Sequence, residues 1–318
     1  MNNAKAARVA ATTTWKHFAA FAACLLAFSG PAGAIVAQTN ASLLSGLGQS
    51  FLDGVAKLNL TTSAGNFGCS GSVLTGGTAI LTAAHCVTGP NATATTSKIS
   101  VSLLGGAVTA TSTSYVVNPG WDGDLTPGND LALIYLSKPI TSVAGYSLYF
   151  NDAQSATIVL AGYGYTGNGT TGSNNTTFGT LHYGSNQYDG VDPDVHSTYL
   201  YDFDNATPGS RNTLGSTGLG AAEAFIASGD SGGPGLIQVN GQWYVAGVHS
   251  FDSCSRRTCP IDSSFGEVAG DISVFGQSAW LRSVSAVPEP SAYAMLLAGL
   301  GLVAAFAARR QRGPRYPT

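Results

Sequence analysis

Charge is scarce in this chain. Charged residues make up 10% of its 318 positions, against about 25% in an average soluble domain. That excludes a charged disordered tail and a coiled coil, both of which depend on Glu, Lys and Arg. Basic residues are scarcer still once the ends are set aside. Seven of the 14 Lys and Arg lie in the first 16 and last ten residues; between Ile35 and Ala286 there are seven basic residues against 16 acidic ones. An acidic body repels a phosphate backbone, so nucleic acid is not an expected partner. Amphipathic helical spacing is absent before about Gln277 to Val284, and no internal repeat is visible. What is abundant is glycine, at 41 residues, about twice the usual share. With many Thr, Ser and Asn, this composition calls for short strands joined by turns. A hydrophobic content of 44% is enough for a core.

The two ends read as addresses. Residues 1–34 have the form of a secretory signal: Lys5, Arg8 and Lys16, an apolar stretch from Phe18 to Phe28, helix breakers at Ser29-Gly30-Pro31, and the small-x-small site Ala32-Gly33-Ala34. Eleven apolar residues are too few for a comfortable membrane span. Residues 287–318 have three parts in order. Val287-Pro288-Glu289-Pro290 stops a helix. An apolar run from Ala292 to Ala308 follows, at the short end for a span. Arg309, Arg310 and Arg312 then mark a cytoplasmic flank. This order resembles the PEP-CTERM sorting signal of Gram-negative bacteria that make exopolysaccharide. The resemblance implies transient membrane insertion by the C-terminal segment and processing by an exosortase after signal peptidase. The destination it implies is the cell surface or extracellular matrix.

The mature chain expected is therefore 35–286. Cys24 leaves with the signal and four cysteines remain, which reads as two disulfides in an exported protein. Three pairings are open; Cys69 with Cys86 and Cys254 with Cys259 is the local one. Cys254 and Cys259 have no nearby His pair, so they do not make a zinc site. The reading calls for no metal and no cofactor.

Strand and turn signals run through the body. Cys69–Leu74 and Thr78–Thr82 flank a Thr75-Gly76-Gly77 turn, and Ala132–Leu136 and Ala156–Leu160 are apolar runs. Gly235–Val239 and Gln242–Val248 flank Asn240-Gly241, a type I′ hairpin signal. Ile272–Phe275 is a last strand. Residues 164–220 are rich in Gly, Asn and Thr and read as long surface loops. The layout is all-β, a barrel or sandwich.

Three motifs carry chemistry: Leu81-Thr82-Ala83-Ala84-His85-Cys86, Asn129-Asp130-Leu131-Ala132-Leu133, and Gly229-Asp230-Ser231-Gly232-Gly233-Pro234. A Ser hydroxyl is a weak nucleophile without an adjacent base, and flanking glycines let backbone N–H groups approach a substrate. The set resembles the trypsin/chymotrypsin family of serine endopeptidases, with His, Asp and Ser in that family's order. The likeness runs from about Val55 to Leu281.

The resemblance implies two packed antiparallel six-stranded β-barrels with a short C-terminal helix. It implies a catalytic set of His85, Asp130 and Ser231, and an oxyanion hole from the N–H groups of Gly229 and Ser231, worth roughly 3 kcal/mol per donor. A Cys69–Cys86 bridge would pin the loop bearing His85. The primary pocket would involve Phe225 at its floor, Gly270 at its far wall and the strand edge Ser250-Phe251-Asp252. Phe225 supplies no carboxylate for a Lys or Arg side chain, and Ala227 stands where the family has a Cys, leaving Cys254 to pair with Cys259. His249, just before that edge, is similar to a His of the family's glutamate-specific members, yet it reads as a structural core His. The new N-terminus Ile35-Val36 would pair with Asp230. Protein or peptide substrates follow. The alternative function is a catalytically silent protease-fold protein that binds a surface or exopolysaccharide matrix.

Overall fold

The computed structural model describes residues 34–89, 91–125, 127–207, 212–215, 218–254, 260–285 and 299–300. Two β-barrels stand side by side. The first is a seven-stranded sheet, running in space Val108–Ser112, Thr96–Leu103, Val55–Thr62, Gly65–Val73, Ala79–Thr82, Ala132–Tyr135 and Ser114–Val117. Its two edge strands, Val108–Ser112 and Ser114–Val117, are separated by one residue in the chain. The chain thus passes from one edge to the other and the sheet closes, which leaves six positions around the barrel. Alternation decides the faces: in Val55–Thr62, Leu58 and Leu60 are buried while Asn59 and Thr61 are exposed. Leu58, Leu60, Ile99, Val101 and Ile134 fill the interior.

The second barrel uses Thr198–Asp202, Val268–Ser273, Gln242–Ser253, Pro234–Val239, Thr157–Gly162 and His182–Gln187 as consecutive neighbours. After the two intervening residues Tyr188 and Asp189 the chain re-enters as Gly190–Val191, which pairs with Thr198–Asp202 at the far edge. That step closes the second barrel. The Asn240-Gly241 turn has both residues at positive φ, 51° and 81°, as a type I′ hairpin requires. Leu52, Val55, Leu81 and Leu133 meet Leu236, Val245, Val248 and Ile272 in a third cluster that joins the barrels. The helix Ser278–Ser285 packs on it through the buried Leu281.

Two expectations are corrected. The stretch 164–220 is not only loop: it supplies His182–Gln187 and Thr198–Asp202, two barrel strands. Their buried positions carry Asn186, Tyr199, Tyr201 and Asp202, so no apolar run announces them. The last strand is Val268–Ser273 rather than 272–275, and all six of its residues are buried, Gly270 and Asp271 included.

A small sheet lies beside the second barrel. Val36–Ala37 is held between Thr166–Asn168, in parallel, and Ala224–Phe225, antiparallel. The bond Cys69–Cys86 is formed. Cys254 is disulfide-bonded, and its expected partner Cys259 lies outside the described residues. So do the expected signal, apart from Ala34, and nearly all of the C-terminal tail. Among the described residues no helix is long and apolar enough to cross a membrane.

Candidate active site

The three sequence motifs meet at the junction of the barrels. His85 lies on the short helix Ala84–Thr88, which begins just past the strand Ala79–Thr82. Asp130 lies two residues before the strand Ala132–Tyr135, the direct neighbour of Ala79–Thr82. Pairing these strands brings the two side chains together. Asp130 Oδ2 is 2.7 Å from His85 Nδ1, and Asp130 Oδ1 accepts the His85 backbone N–H at 2.8 Å. Asp130 is fully buried, and the His85 side chain is 19% exposed.

Burial disfavours the His85 imidazolium, but the Asp130 charge and hydrogen bond outweigh it. The His85 pKa accordingly stands above its ordinary 6.5. Tying Nδ1 to a carboxylate orients the ring and leaves Nε2 for proton exchange.

The Ser231 motif comes from the second barrel, leading into the strand Pro234–Val239. Its backbone is fastened on several sides. Ser70 donates its N–H to Ser231 O at 2.9 Å and its hydroxyl to Gly229 O at 3.0 Å. Gly232 donates to His249 O at 2.7 Å, and Gly233 to Asp230 O at 2.8 Å. Gly232, at φ 81°, has no room for a Cβ: one would collide with Thr82 Oγ1 and lie 2.9 Å from Ala83 N. That contact sets Ser231 beside the segment that leads into His85. Gly229 is at φ 94°, open to glycine, and a Cβ there would meet the Phe178 ring. Among the described residues neither the Gly229 nor the Ser231 N–H is taken by an acceptor.

Between these two amides, Asp230 turns inward. Its carboxylate accepts N–H groups from Gly164 at 2.8 Å, Ala227 at 2.9 Å and Ile35 at 3.2 Å. Burial raises its pKa to about 6, against the pull of the Ala227 and Gly164 hydrogen bonds.

The expected pocket residues divide. Ser250 reaches Asp130 directly: its hydroxyl donates to Asp130 Oδ2 at 2.6 Å. Phe225 is fully buried, stacked on Phe203 at 5.5 Å and edge-on to Tyr201 at 5.8 Å. It presents no surface. The Phe251 ring lies across the face of Gly270, where a Cβ would collide with it. Asp252 is half-buried on the same strand, and burial raises its pKa to about 6.

Sequence reasoning missed Ser70, Thr82, Phe178 and Gly164 as supports of the Ser231 loop. The Phe178 ring fills the Cβ space of both Gly68 and Gly229, a contact that no sequence pattern marks. Cys69, His85 and Cys86 have their ligand atoms within 4.8 Å of one another. Both sulfurs are spent in the disulfide, so this group offers no thiolate to a metal. A polar cavity of about 560 Å³, lined by residues such as Asn40, Thr166, Asn168, Ser173 and Asn175, lies on the small sheet, and none of the three motifs lines it.

The family described as Trypsin matches residues 53–262, and the PEP-CTERM protein-sorting motif matches residues 286–311. No curated protein matches the chain in sequence. Among solved structures, the chain is similar to HL collagenase at 20% identity, with a TM-score of 0.54 over 78% of this chain and 99% of that one. It is also similar to the protease Anisep from Arthrobacter nicotinovorans at 17% identity, with a TM-score of 0.49 over 70% of this chain and 90% of that one. The family match covers most of the chain and spans the His, Asp and Ser motifs, and the first likeness shares the fold: the chain belongs to the trypsin family.

Proposed function

We propose that the protein is an exported serine endopeptidase that works through Ser231, His85 and Asp130. The observation that carries this reading is the His85–Asp130 contact at 2.7 Å, set against the Ser231 loop by the close approach of Gly232 to Thr82 and Ala83. Ser231 Oγ attacks the substrate carbonyl carbon while His85 Nε2 takes its proton. Asp130 stabilises the resulting imidazolium. The Gly229 and Ser231 N–H groups receive the oxyanion. Collapse of the tetrahedral intermediate breaks the C–N bond; His85 gives its proton to the leaving amine, and an acyl-enzyme remains. Water, deprotonated by His85, then releases the acid and restores Ser231.

Several further roles belong to this reading. The Ser250-Phe251-Asp252 edge pairs with the substrate backbone. Phe225 is packed into the core and meets no substrate, so the position expected at the pocket floor supplies no carboxylate for a Lys or Arg side chain. Cleavage after Ala34 turns the Ile35 amide, already 3.2 Å from Asp230, into an ammonium that neutralises a buried carboxylate. Residues 35–286 form the protease domain, flanked by the signal and by the sorting tail that exosortase removes.

The test compares the 35–286 protein with its Ser231→Ala variant on a mixed protein substrate. New peptide termini, found by mass spectrometry only with the unaltered chain, support the reading, as does labelling of Ser231 by a fluorophosphonate. If a folded protein with a verified Ile35 end does neither, a silent, matrix-binding protein takes its place.

A further inference from the structure

A second histidine–carboxylate pair lies behind the nucleophile loop. His249 and Asp271 are both fully buried, and His249 Nδ1 is 2.8 Å from Asp271 Oδ1. Two tyrosines close on the same carboxylate, Tyr201 from the neighbouring strand Thr198–Asp202 and Tyr188 from just past the end of His182–Gln187: Tyr188 donates to Oδ2 at 2.7 Å and Tyr201 to Oδ1 at 3.1 Å. Four polar side chains therefore stand in the core of the second barrel, where apolar ones would fill the space at less desolvation cost. Such a network is stabilising only when its members are satisfied, and here one atom is not. His249 Nε2 is buried without a hydrogen-bond partner among the described residues.

The backbone of His249 explains what the network is attached to. Its carbonyl accepts the Gly232 N–H at 2.7 Å, and its N–H donates to Gly233 O at 2.9 Å. The ring edge lies against Gly233, 3.1 Å from where a Cβ would stand. The next residue, Ser250, donates to Asp130 at 2.6 Å. One dipeptide thus grips the two glycines after Ser231 with its first residue and the triad carboxylate with its second. The side chain of the first residue is anchored to a barrel strand 22 residues away. The strand has its bulge at this point, between His249 and Phe251. A bulge frees the backbone from regular pairing, so another restraint must set its position.

We propose that His249 is a positioning residue: clamped by Asp271, it holds the Ser231 loop and Asp130 in register with each other. This rests on the endopeptidase reading only for its kinetic consequence; the restraint on the loop is a property of the fold.

Two polar substitutions separate the role from simple core packing. In His249→Asn the side-chain nitrogen falls near the site of Nδ1 and keeps a donor for Asp271. In His249→Gln it falls near the site of Nε2 and cannot. The first readout is hydrogen–deuterium exchange of the peptide spanning Gly232 and Gly233. We expect exchange to quicken about tenfold or more in the Gln variant and to stay near the original rate in the Asn variant, as loss of one hydrogen bond to a charged group implies. The second readout is kinetic: kcat falls about tenfold or more in the Gln variant with KM nearly unchanged, and the Asn variant recovers it. Equal exchange in all three proteins overturns the proposal, as does an equal loss in both variants. If exchange responds as expected while the unaltered protein cuts nothing, the positioning role stands and the endopeptidase reading fails.

Discussion

Ser250 donates its hydroxyl to the same oxygen of Asp130 that His85 uses, at 2.6 Å. The Asp130 carboxylate therefore has two side-chain donors on one oxygen and the His85 backbone N–H on the other. Ser250 comes from the second barrel and His85 from the first, so this one oxygen is a junction between them. Removing the hydroxyl in Ser250→Ala leaves more of the carboxylate charge for His85. We expect kcat/KM to fall about three- to tenfold. The acid limb of the pH–rate profile should move to higher pH. A limb that moves to lower pH contradicts the shared-oxygen account.

On the proposed mechanism the acid limb itself is set by His85. It must be neutral to accept the Ser231 proton, and Asp130 holds its pKa above 6.5. Cleavage should therefore decline as pH falls through a value above about 6.5. In Asp130→Asn the imidazolium loses its partner and the ring its orientation; kcat should drop about 10⁴-fold. Titration of the His85 ring protons by NMR in both proteins checks the shift without turnover.

Stability should run the opposite way with pH. Burial raises the Glu223 and Glu267 carboxyls to about 8 and that of Asp252 to about 6. All three stand above their unfolded values, so the folded chain holds the extra protons. The stability they contribute is fully present below about pH 4 and is lost as pH rises through 6 and then 8. His85, also raised, acts in the same sense. Differential scanning calorimetry should show Tm falling between about pH 5 and pH 9, and Glu223→Gln should flatten the upper part of that slope. A Tm that climbs over this range would show that the carboxyls are not held protonated.

The Cys69–Cys86 bond closes a loop with a sequence separation of 17 and ends on the helix that carries His85. Its replacement in Cys69→Ser/Cys86→Ser should cost about 3 kcal/mol of unfolding free energy, read as a lower urea midpoint. The His85 ring should lose order before the barrels unfold.

Much of the site was legible because its chemistry sits in short contiguous motifs. His85, Asp130 and Ser231 each stand in a run whose neighbours are needed locally, such as the glycine at position 232 that no larger residue can replace beside Thr82. The hairpin at Asn240-Gly241 was legible for the same reason. The strands His182–Gln187 and Thr198–Asp202 were not, because their buried positions hold Asn186, Asp202 and tyrosines. Hydrophobic alternation cannot mark a strand whose buried positions are polar. The partnership of His249 with Asp271 and of Ser250 with Asp130 depends on strand register across 22 and 120 residues. Only the closed barrel supplies that register.

Ala34 is fully buried and gives its N–H to His182 Nδ1 at 3.0 Å, and Ile35 behind it is fully buried too. Both residues flanking that peptide bond are buried once the small sheet has formed, so on the proposed reading a cut there comes before folding. Ile35 also sits at φ 65°, a torsion that a β-branched residue adopts only under strain. A chain that begins at Ile35 has no such torsion, because φ needs a preceding carbonyl. Early cutting would thus yield a first residue that settles beside Asp230 without distortion, and a late one would find its target locked away. The order of events in time is written into the burial of a single bond.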